Sequence, residues 1–374
     1  MSEPQTISGL IATERGFVDG VMRIEGGRIS SIEGSEIAER LVRQRISAAR
    51  PLVLPGFVDL HVHGGGGADV MDGGNATEKI AAIHAKHGTT SLLATTLTAP
   101  AEDFLPALKA LRAVSESKRV GARILGVHLE GPYINEDKLG AQPPFSRRFD
   151  LAEVQKLHAV FPIKLITLAP EIPGGIDAVC TLTAAGFIVQ LGHTSGSYEE
   201  GVAALEAGAT GFTHLFNAMS GLHHRAPGMV GAALAHARYA EIIPDMQHVH
   251  AGAVRVALRS IECLYCVTDS TSAAGMPDGQ YGLGRQSVTK CMGAVRLADG
   301  TLAGSTLTMD DAFRNLVDQL ELPLLNASKR VSTYAADFLR LADRGRLAVG
   351  AHADVVTMNQ DLRVQSVWVE GTLQ

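Results

Sequence analysis

The central part of the chain alternates between short apolar runs and stretches with helical periodicity. Eight apolar, strand-like runs lie at residues 52–63, 89–98, 123–132, 163–171, 187–194, 210–219, 240–249 and 264–271. Between them, stretches such as residues 76–88 and 197–208 repeat apolar residues at helical spacing and end in glycine, as helices often do. Alternating strands and helices predict an α/β protein with a parallel sheet, and eight such units predict a (β/α)8 TIM-like barrel.

Both ends of the chain show a different pattern. Residues 16–34 and 347–374 contain short β-type runs that are broken by glycine-containing turns, without a long helical period. We therefore expect both termini to pair into one small β-sandwich domain, made of residues 1–54 and 345–374. The barrel then occupies residues 55–344.

Polar side chains collect at the C-terminal ends of the predicted strands. They are His61, His63, Thr96, His128, Glu130, Glu171, His193, His214, His248 and Asp269. Barrel enzymes carry their chemistry at this face, whereas a purely structural role for these residues predicts no such bias.

The stretch HVHGGGG, residues 61–67, ends the first of these runs. His61 and His63 point to the same side of a strand, because side chains alternate with a period of two. Alone, such a pair is more often structural than metal-binding. With several other strand ends offering imidazoles and carboxylates, the pair predicts a metal site, because Zn²⁺ takes nitrogen and oxygen ligands. The glycines predict clearance for a substrate or metal and a loop with positive φ.

Composition and charge narrow the function classes. The 374 residues carry a net charge of −6, which argues against nucleic-acid binding. An apolar run of membrane-spanning length and an N-terminal signal sequence are both missing, so we expect no membrane association. Four cysteines suit a reducing cytoplasm. Cys263 and Cys266 form a lone CxxC without a second pair, and we expect them to be strand residues.

Seven stretches carry a resemblance to a known family. They are PGFVDLHVHGGGG (55–67), GVHLEGPYIN (126–135), LGHTSGSYEEG (191–201), THLFNAM (213–219), RAPGMVGAAL (225–234), VTDSTSAAGMPDGQYGLG (267–284) and LAGSTLTM (302–309). Together they cover essentially the whole chain, which resembles the amidohydrolase superfamily and, within it, the N-acetylglucosamine-6-phosphate deacetylases. HLEGP followed by LGHT, THLFNAM and TD is specific to that family, whereas HxH alone is not.

The resemblance implies a metal centre and a catalytic acid/base. Glu130, His193 and His214 match the ligands of the principal ion. His61 and His63 match ligands of a second ion, with Glu130 as a possible bridge, so one or two divalent ions per subunit are implied, with Zn²⁺ as the expected metal. Asp269 matches the catalytic residue, which takes a proton from the attacking water and gives it to the leaving amine.

The resemblance also implies a set of substrate contacts. Arg225 and His248 match a clamp for the substrate phosphate, which in the family is completed across a homodimer interface. Asn217 and Ala218 match backbone or amide contacts to the sugar, and Met309 matches part of the wall of the sugar pocket. The implied reaction releases acetate from N-acetylglucosamine 6-phosphate, in amino-sugar catabolism and cell-wall sugar recycling.

One departure from the family pattern bears on the substrate. Ala141 and Gln142 stand on the presumed substrate side, and family members often carry a histidine in place of Gln142, which here cannot become a cation. Met246 and Gln247 also replace smaller residues. These changes leave open N-acetylgalactosamine 6-phosphate, or another N-acyl hexosamine phosphate, as the substrate.

Two further interpretations remain open. A cyclic-amide hydrolase similar to dihydroorotase would bridge two ions with a carboxylated lysine on the fourth strand, where Lys164 lies near the start. A non-catalytic scaffold that has kept the barrel would lose metal ligands, whereas this chain retains every expected ligand and Asp269.

Overall fold

Six parallel strands form a curled sheet at the centre of the molecule. The computed structural model describes residues 5–116 and 121–374. In order across the sheet, the strands are Gly211–Phe212, Ile188–Leu191, Ile163–Leu168, Arg123–Glu130, Thr89–Thr96 and Phe57–Val62. Most of their residues are buried and aliphatic or β-branched, as expected when both faces of a parallel sheet are covered.

Two more parallel strands, Tyr239–Ile242 and Cys263–Cys266, pair with each other. The backbone N–H of Leu215 donates to the carbonyl of Glu241, and that of Asp269 donates to the carbonyl of His61, each at 2.9 Å. These two bonds connect the region of the strand pair with both edges of the six-stranded sheet, which we call the half-barrel. All eight predicted strands are present, and both cysteines lie on a strand as predicted.

Helices connect most of the strands. The helices are Glu39–Arg45, Ala76–Lys86, Ala101–Ser115, Leu151–Val160, Gly175–Ala184, Tyr198–Glu206, Gly228–His236, Ala251–Ser260, Met309–Arg314, Leu324–Val331 and Thr333–Phe338, with 3₁₀ turns at Val70–Asp72 and Glu136–Lys138 and a π turn at Asn315–Gln319. Helix Tyr198–Glu206 begins with a reciprocal cap, in which Ser197 and Glu200 satisfy each other's backbone N–H groups. Within the described part of the chain, each helix is too short or too polar to cross a membrane.

Both ends of the chain join in one seven-stranded sheet, as the terminal patterns predict. Its order is Thr372–Leu373, Val364–Val369, Val355–Met358, Leu52–Pro55, Gln5–Thr13, Gly16–Glu25 and Arg28–Ile37. Residues 1–4 of the predicted small domain lie outside the described residues. A separate apolar cluster, which includes Ile11, Met22 and Val355, covers one face of this sheet.

Gly56 joins the terminal sheet to the half-barrel. Strand Leu52–Pro55 ends directly before it, and strand Phe57–Val62 begins directly after it. Its N–H donates to the carbonyl of Asp354 at 2.8 Å. A Cβ atom on Gly56 would lie 2.2 Å from the hydroxyl of Thr90, on strand Thr89–Thr96. A residue larger than glycine therefore cannot fit unless Thr90 moves.

A three-stranded antiparallel sheet follows the eighth parallel strand. Its strands are Gly279–Leu283, Gln286–Cys291 and Ala294–Arg296. Leu283, Val288 and Val295 pack with Leu97 and Ala303 in a small apolar cluster of their own. The pattern of the sequence does not predict this sheet, whose residue Leu283 lines the cavity beside Glu130 and His193.

The glycines that follow His63 have a different role from the predicted one. Gly66 and Gly67 adopt positive φ, as predicted. A Cβ atom on Gly64 would lie 2.4 Å from a backbone carbonyl, and one on Gly65 would press on Ile83. The prediction that the glycines give clearance for a ligand is therefore wrong, because the close approach is to the protein's own chain.

His84 supports this glycine loop from beneath. Its Nε2 atom lies 3.0 Å from the carbonyl of Gly64 and 3.2 Å from the hydroxyl of Ser270. Burial lowers the pKa of His84 to about 4. The unfolded chain, with a histidine pKa near 6.5, therefore binds a proton that the folded protein excludes as the pH falls from about 6.5 towards 4.

We predict that wild type and His84→Gln differ less in their free energy of unfolding at about pH 5.5 than at about pH 7.5. The excess of wild type over the variant should fall by about 1 to 1.5 kcal/mol. Urea unfolding of the metal-free proteins at both pH values would measure it, with His223→Gln on an exposed loop as the control for loss of one imidazole. An advantage that is equal at both pH values would show that folded His84 takes up a proton freely.

Candidate metal centre and active site

One oxygen of Glu130 faces two imidazoles at the end of the third parallel strand. The Oε1 atom lies 3.1 Å from Nε2 of His193 and 3.0 Å from Nε2 of His214. The two imidazole nitrogens are themselves 3.1 Å apart. All three side chains are buried. We call Glu130, His193 and His214 the first ligand group.

The other oxygen of Glu130 faces a second group, made of His61, His63 and Asp269. The Oε2 atom lies 3.1 Å from Nε2 of His63 and 3.4 Å from Nε2 of His61. Oδ1 of Asp269 lies 3.3 and 3.4 Å from the same two nitrogens. We call these three residues the second ligand group. Glu130 thus lies between the two groups and has one oxygen towards each.

The donor atoms in each group suit a divalent cation. The ligand atoms within each group lie within 4.8 Å of one another. Imidazole nitrogen with carboxylate oxygen is the donor set of catalytic Zn²⁺ sites, and it also suits other transition metals. Nitrogen atoms that face each other across about 3 Å are well placed to share one ion, because each can direct its lone pair to the same point.

The charges of the cluster favour a bound cation. Burial alone would raise the pKa of Glu130, but the surrounding imidazoles hold it well below its usual range. Burial likewise opposes ionisation of Asp269, and His61 and His63 outweigh it and lower its pKa. Burial opposes protonation of His63, but hydrogen bonds to Asp269 and Glu130 raise its pKa to about 9. The carboxylates therefore draw positive charge into a buried space.

Hydrogen bonds behind the cluster orient two of the imidazoles. Nδ1 of His193 lies 2.7 Å from the carbonyl oxygen of Lys138, and Nδ1 of His61 lies 3.0 Å from Oε2 of Glu241. Each bond favours the tautomer that leaves Nε2 free to bind a metal. Within the described residues, the Nδ1 atoms of His63 and His214 are buried without such a partner.

Three residues of the two ligand groups have a left-handed backbone. The φ angles are 50° at His193, 29° at His214 and 48° at Asp269. Non-glycine residues adopt this region at a cost of order 1–3 kcal/mol each. All three directly follow strands or lie in strand-end loops, where the chain turns sharply and directs the side chain into the cluster.

A cavity of about 330 Å³ opens onto the cluster. Its volume is at the lower end of the range for small-molecule sites. Predicted site residues that line it are His63, Glu130, Ala141, Gln142, His193, His214, Asn217, Ala218, His248 and Asp269. The structure thus brings together most of the side chains that the sequence singled out.

Gln142 is held against the metal cluster. Its Nε2 donates to Oε2 of Glu130 at 2.6 Å, and its Oε1 accepts from the backbone N–H of Thr98 at 2.6 Å. The side chain is buried. Its amide therefore has a fixed orientation between Glu130 and the second parallel strand, and it reaches the reactive end of the cavity.

His248 faces the cavity from the other side. Its Nδ1 lies 2.7 Å from Oδ2 of Asp245. Burial opposes the cationic form of His248, but the hydrogen bond to Asp245 outweighs it and raises the pKa. The carboxylate thus favours an imidazolium at this edge of the cavity, which suits an anionic group on a ligand.

Two of the predicted substrate residues lie away from the cavity of this chain. Arg225 is on an exposed loop, where its guanidinium contacts the ring of His224 at 2.7 Å. Met309 is fully buried in the main hydrophobic core. Thr301, Leu302 and Gly304 line the cavity instead. Met309 is the first residue of helix Met309–Arg314, and its side chain packs into the core.

His128 and Lys164 do not belong to the two ligand groups around Glu130. Nδ1 of His128 lies 3.2 Å from the carbonyl of Leu60, and its Nε2 lies 2.7 Å from the hydroxyl of Thr167. Both nitrogens are therefore occupied while the ring packs edge-on against His61. Lys164 is exposed near the start of its strand, so it cannot bridge ions as in a dihydroorotase-like site.

Sequence reasoning missed several residues at the site. Glu241 and the carbonyl of Lys138 hold imidazoles, and Thr271 and Leu283 line the cavity. A signal existed for Glu241 alone, because it is a charged residue within the apolar run 240–249. Backbone carbonyls and wall residues leave no such mark in a sequence.

Comparisons with known proteins agree with this geometry. The amidohydrolase family matches residues 52–373. An N-acetylglucosamine-6-phosphate deacetylase from Vibrio furnissii is 39% identical over 367 residues, covering 95% of this chain and 90% of the relative. An N-acetylgalactosamine-6-phosphate deacetylase from Escherichia coli O157:H7 is 38% identical over 371 residues, covering 97% of each.

A solved structure resembles the whole chain. It is a mutant N-acetyl-D-glucosamine-6-phosphate deacetylase from Mycobacterium smegmatis in complex with N-acetyl-D-glucosamine-6-phosphate. The TM-score is 0.90 at 31% identity, covering 100% of this chain and 99% of that one. The likeness includes both the half-barrel and the terminal sheet.

Proposed function

This chain belongs to the amidohydrolase family, and we propose that it removes the N-acetyl group from N-acetylglucosamine 6-phosphate. The products are glucosamine 6-phosphate and acetate. The observation that carries the proposal is the position of Glu130, between two groups of buried imidazoles at the base of a cavity of ligand size. The activity belongs to amino-sugar catabolism and sugar recycling, and we place it in the cytoplasm.

We assign Glu130, His193 and His214 as ligands of the principal ion, and His61 and His63 as ligands of a second. Zn²⁺ is the ion we expect, because its preferred donors are imidazole and carboxylate. Such an ion supplies Lewis-acid polarisation of the acyl carbonyl and makes water more acidic. The chain's own part is to hold these ligands in a buried cluster where charge is poorly screened.

Asp269 is the proton carrier in this proposal. Its lowered pKa keeps it ionised at neutral pH, and its carboxylate faces His61, His63 and the cavity. It takes a proton from water as the new C–O bond forms. It then gives that proton to the sugar nitrogen as the C–N bond breaks, which balances the step and releases a neutral amine.

The remaining cavity residues hold the sugar phosphate. The Nε2 atom of Gln142 is placed to donate to the acyl oxygen, and Asn217 and Ala218 offer polar contacts to the sugar. His248, favoured as a cation by Asp245, pairs with the phosphate. Since Arg225 lies on an exposed loop, we propose that it reaches the phosphate site of a second subunit in a homodimer.

We also propose a closed (β/α)8 barrel for residues 55–344. The hydrogen bonds from Leu215 to Glu241 and from Asp269 to His61 support it, because they connect the separate strand pair to both sides of the half-barrel. Residues 1–54 and 345–374 then form the second domain. The apolar cluster on its sheet supports a small sandwich.

N-acetylgalactosamine 6-phosphate is the second candidate substrate. Gln142 is the observation that favours it, because this residue departs from the histidine of many deacetylases for the glucosamine substrate and touches the reactive end of the cavity. The relative from Escherichia coli O157:H7, named for the galactosamine substrate, supports the same candidate.

The first test is acetate release from four compounds by purified, metal-quantified protein. The compounds are the 6-phosphates of N-acetylglucosamine and N-acetylgalactosamine, and both sugars without phosphate. We expect the highest kcat/KM for N-acetylglucosamine 6-phosphate. A preference for the galactosamine epimer would make Gln142 and residues 245–249 the leading determinants of specificity. Equal rates with and without phosphate would contradict the phosphate site.

Asp269→Asn should lower kcat by a factor on the order of 10²–10⁴, because an amide cannot carry the proton. The ion held by Glu130, His193 and His214 should remain bound, as measured by elemental analysis. Asp278→Asn, on the exposed turn before the three-stranded sheet, is the matched control. Turnover near wild type in Asp269→Asn would remove Asp269 from the mechanism.

Arg225→Ala should raise KM for the phosphorylated sugar about ten- to a hundredfold, because a charge-assisted hydrogen bond is worth about 1.5–3 kcal/mol. The unphosphorylated sugar serves as the control and should show little change. Equal effects on both sugars would mean that Arg225 does not contact the phosphate.

A further inference from the structure

We propose that Glu241 is a positioning residue for the second ligand group. Its carboxylate accepts the Nδ1–H of His61 and so directs Nε2 of that ring towards His63 and Asp269. The inference rests on the metal-dependent activity proposed above. It concerns the affinity of one of two cation positions, which can be measured without any substrate.

Glu241 lies at a buried strand position, where removing a carboxylate from water costs free energy. It lies on strand Tyr239–Ile242 and is fully buried, between the apolar residues Ala240 and Ile242. A buried carboxylate destabilises a protein unless it is paired and hydrogen-bonded. Among the described residues, the only ion-pair partner of the Glu241 carboxylate is His61. Packing alone would be served better by an aliphatic side chain.

The contacts of Glu241 fix the direction of its oxygens. Oε2 lies 3.0 Å from Nδ1 of His61 and 3.2 Å from the backbone nitrogen of His214. Oε1 accepts from the hydroxyl of Tyr265 at 3.4 Å, and that hydroxyl accepts from Gln190 at 2.6 Å. The backbone N–H of His214 holds Oε2 in place, so the position of this oxygen defines the position of the His61 ring.

The tautomer of His61 follows from this contact. A neutral imidazole carries one N–H, and an ionised carboxylate can only accept, so the proton resides on Nδ1. The lone pair of Nε2 then points into the cluster, where Nε2 of His63 lies at 3.1 Å. A carboxylate behind the ring also makes Nε2 a stronger donor to a cation.

Glu241 supports the ring of one ligand, His61, and contacts His214 only through its backbone nitrogen. Nδ1 of His193 faces a neutral carbonyl, and Nδ1 of His63 and His214 are buried without partners in the described residues. In the part of the chain that the structure describes, His61 is therefore the only imidazole of the two groups whose Nδ1 faces a carboxylate. We expect loss of Glu241 to weaken the second cation position more than the first.

The test is an equilibrium Zn²⁺ titration of metal-free Glu241→Gln against a chromophoric chelator. The glutamine side chain has nearly the same shape as that of Glu241 and keeps one acceptor oxygen, but it lacks the negative charge. We expect the Kd of the second ion to rise about ten- to a hundredfold, the range for such supporting residues. The Kd of the first ion should stay within about threefold. His61→Ala provides the benchmark for complete loss of the second position.

Tyr265→Phe is the matched control. It removes a hydrogen bond to the same carboxylate but leaves the carboxylate and His61 in place. Both Zn²⁺ affinities should stay within about threefold of wild type. Thermal melting of each metal-free protein verifies that the variants are folded. If Glu241→Gln does not fold, ¹⁵N NMR of the histidine rings in zinc-loaded wild type is the decisive measurement, with protonated Nδ1 expected for His61.

Four results would overturn the inference. They are an unchanged affinity for the second ion in Glu241→Gln, an equal weakening of the binding of both ions, a His61 ring protonated on Nε2, and a wild type that binds only one ion. Failure of the substrate assay with two ions bound would instead reject the proposed substrate and leave the role of Glu241 intact.

Discussion

The two oxygens of Glu130 are the contact on which the site depends. Each faces a different group of imidazoles, so the third parallel strand holds together side chains from the ends of the first, fifth and sixth. Because the cluster is buried, its charges must be balanced locally. The left-handed backbone at His193, His214 and Asp269 is a cost that this arrangement imposes on the strand ends.

The sequence predicted that these side chains lie together, because the carboxyl ends of parallel strands meet at one edge of the sheet. Polar residues that end consecutive apolar runs must meet at one edge of the sheet, so His61, Glu130 and His193 could be grouped without coordinates. The same reasoning predicted all eight strands and the pairing of the two termini, whereas the small sandwich stays a prediction. Each of these features depends on local patterns and on chain order alone.

Features that depend on the path of loops could not be predicted in this way. The glycines after His63 correctly predicted positive φ angles. The prediction that they lie beside a ligand was wrong, since local sequence does not say which segment packs against a loop. Motif resemblance placed Met309 at the pocket wall, whereas its helix turns it into the core. The three-stranded sheet at residues 279–296 was not predicted either, since its short strands lie within a stretch read only as a motif.

The junction at Gly56 has a consequence for how the protein is made. Strand Leu52–Pro55 continues through one glycine into the strand that carries His61, and it is flanked in the terminal sheet by strand Val355–Met358. On the ribosome, that flanking strand is synthesised long after the histidines have emerged. The sheet that anchors the strand of His61 is therefore completed late in translation, after every residue of both ligand groups has been synthesised.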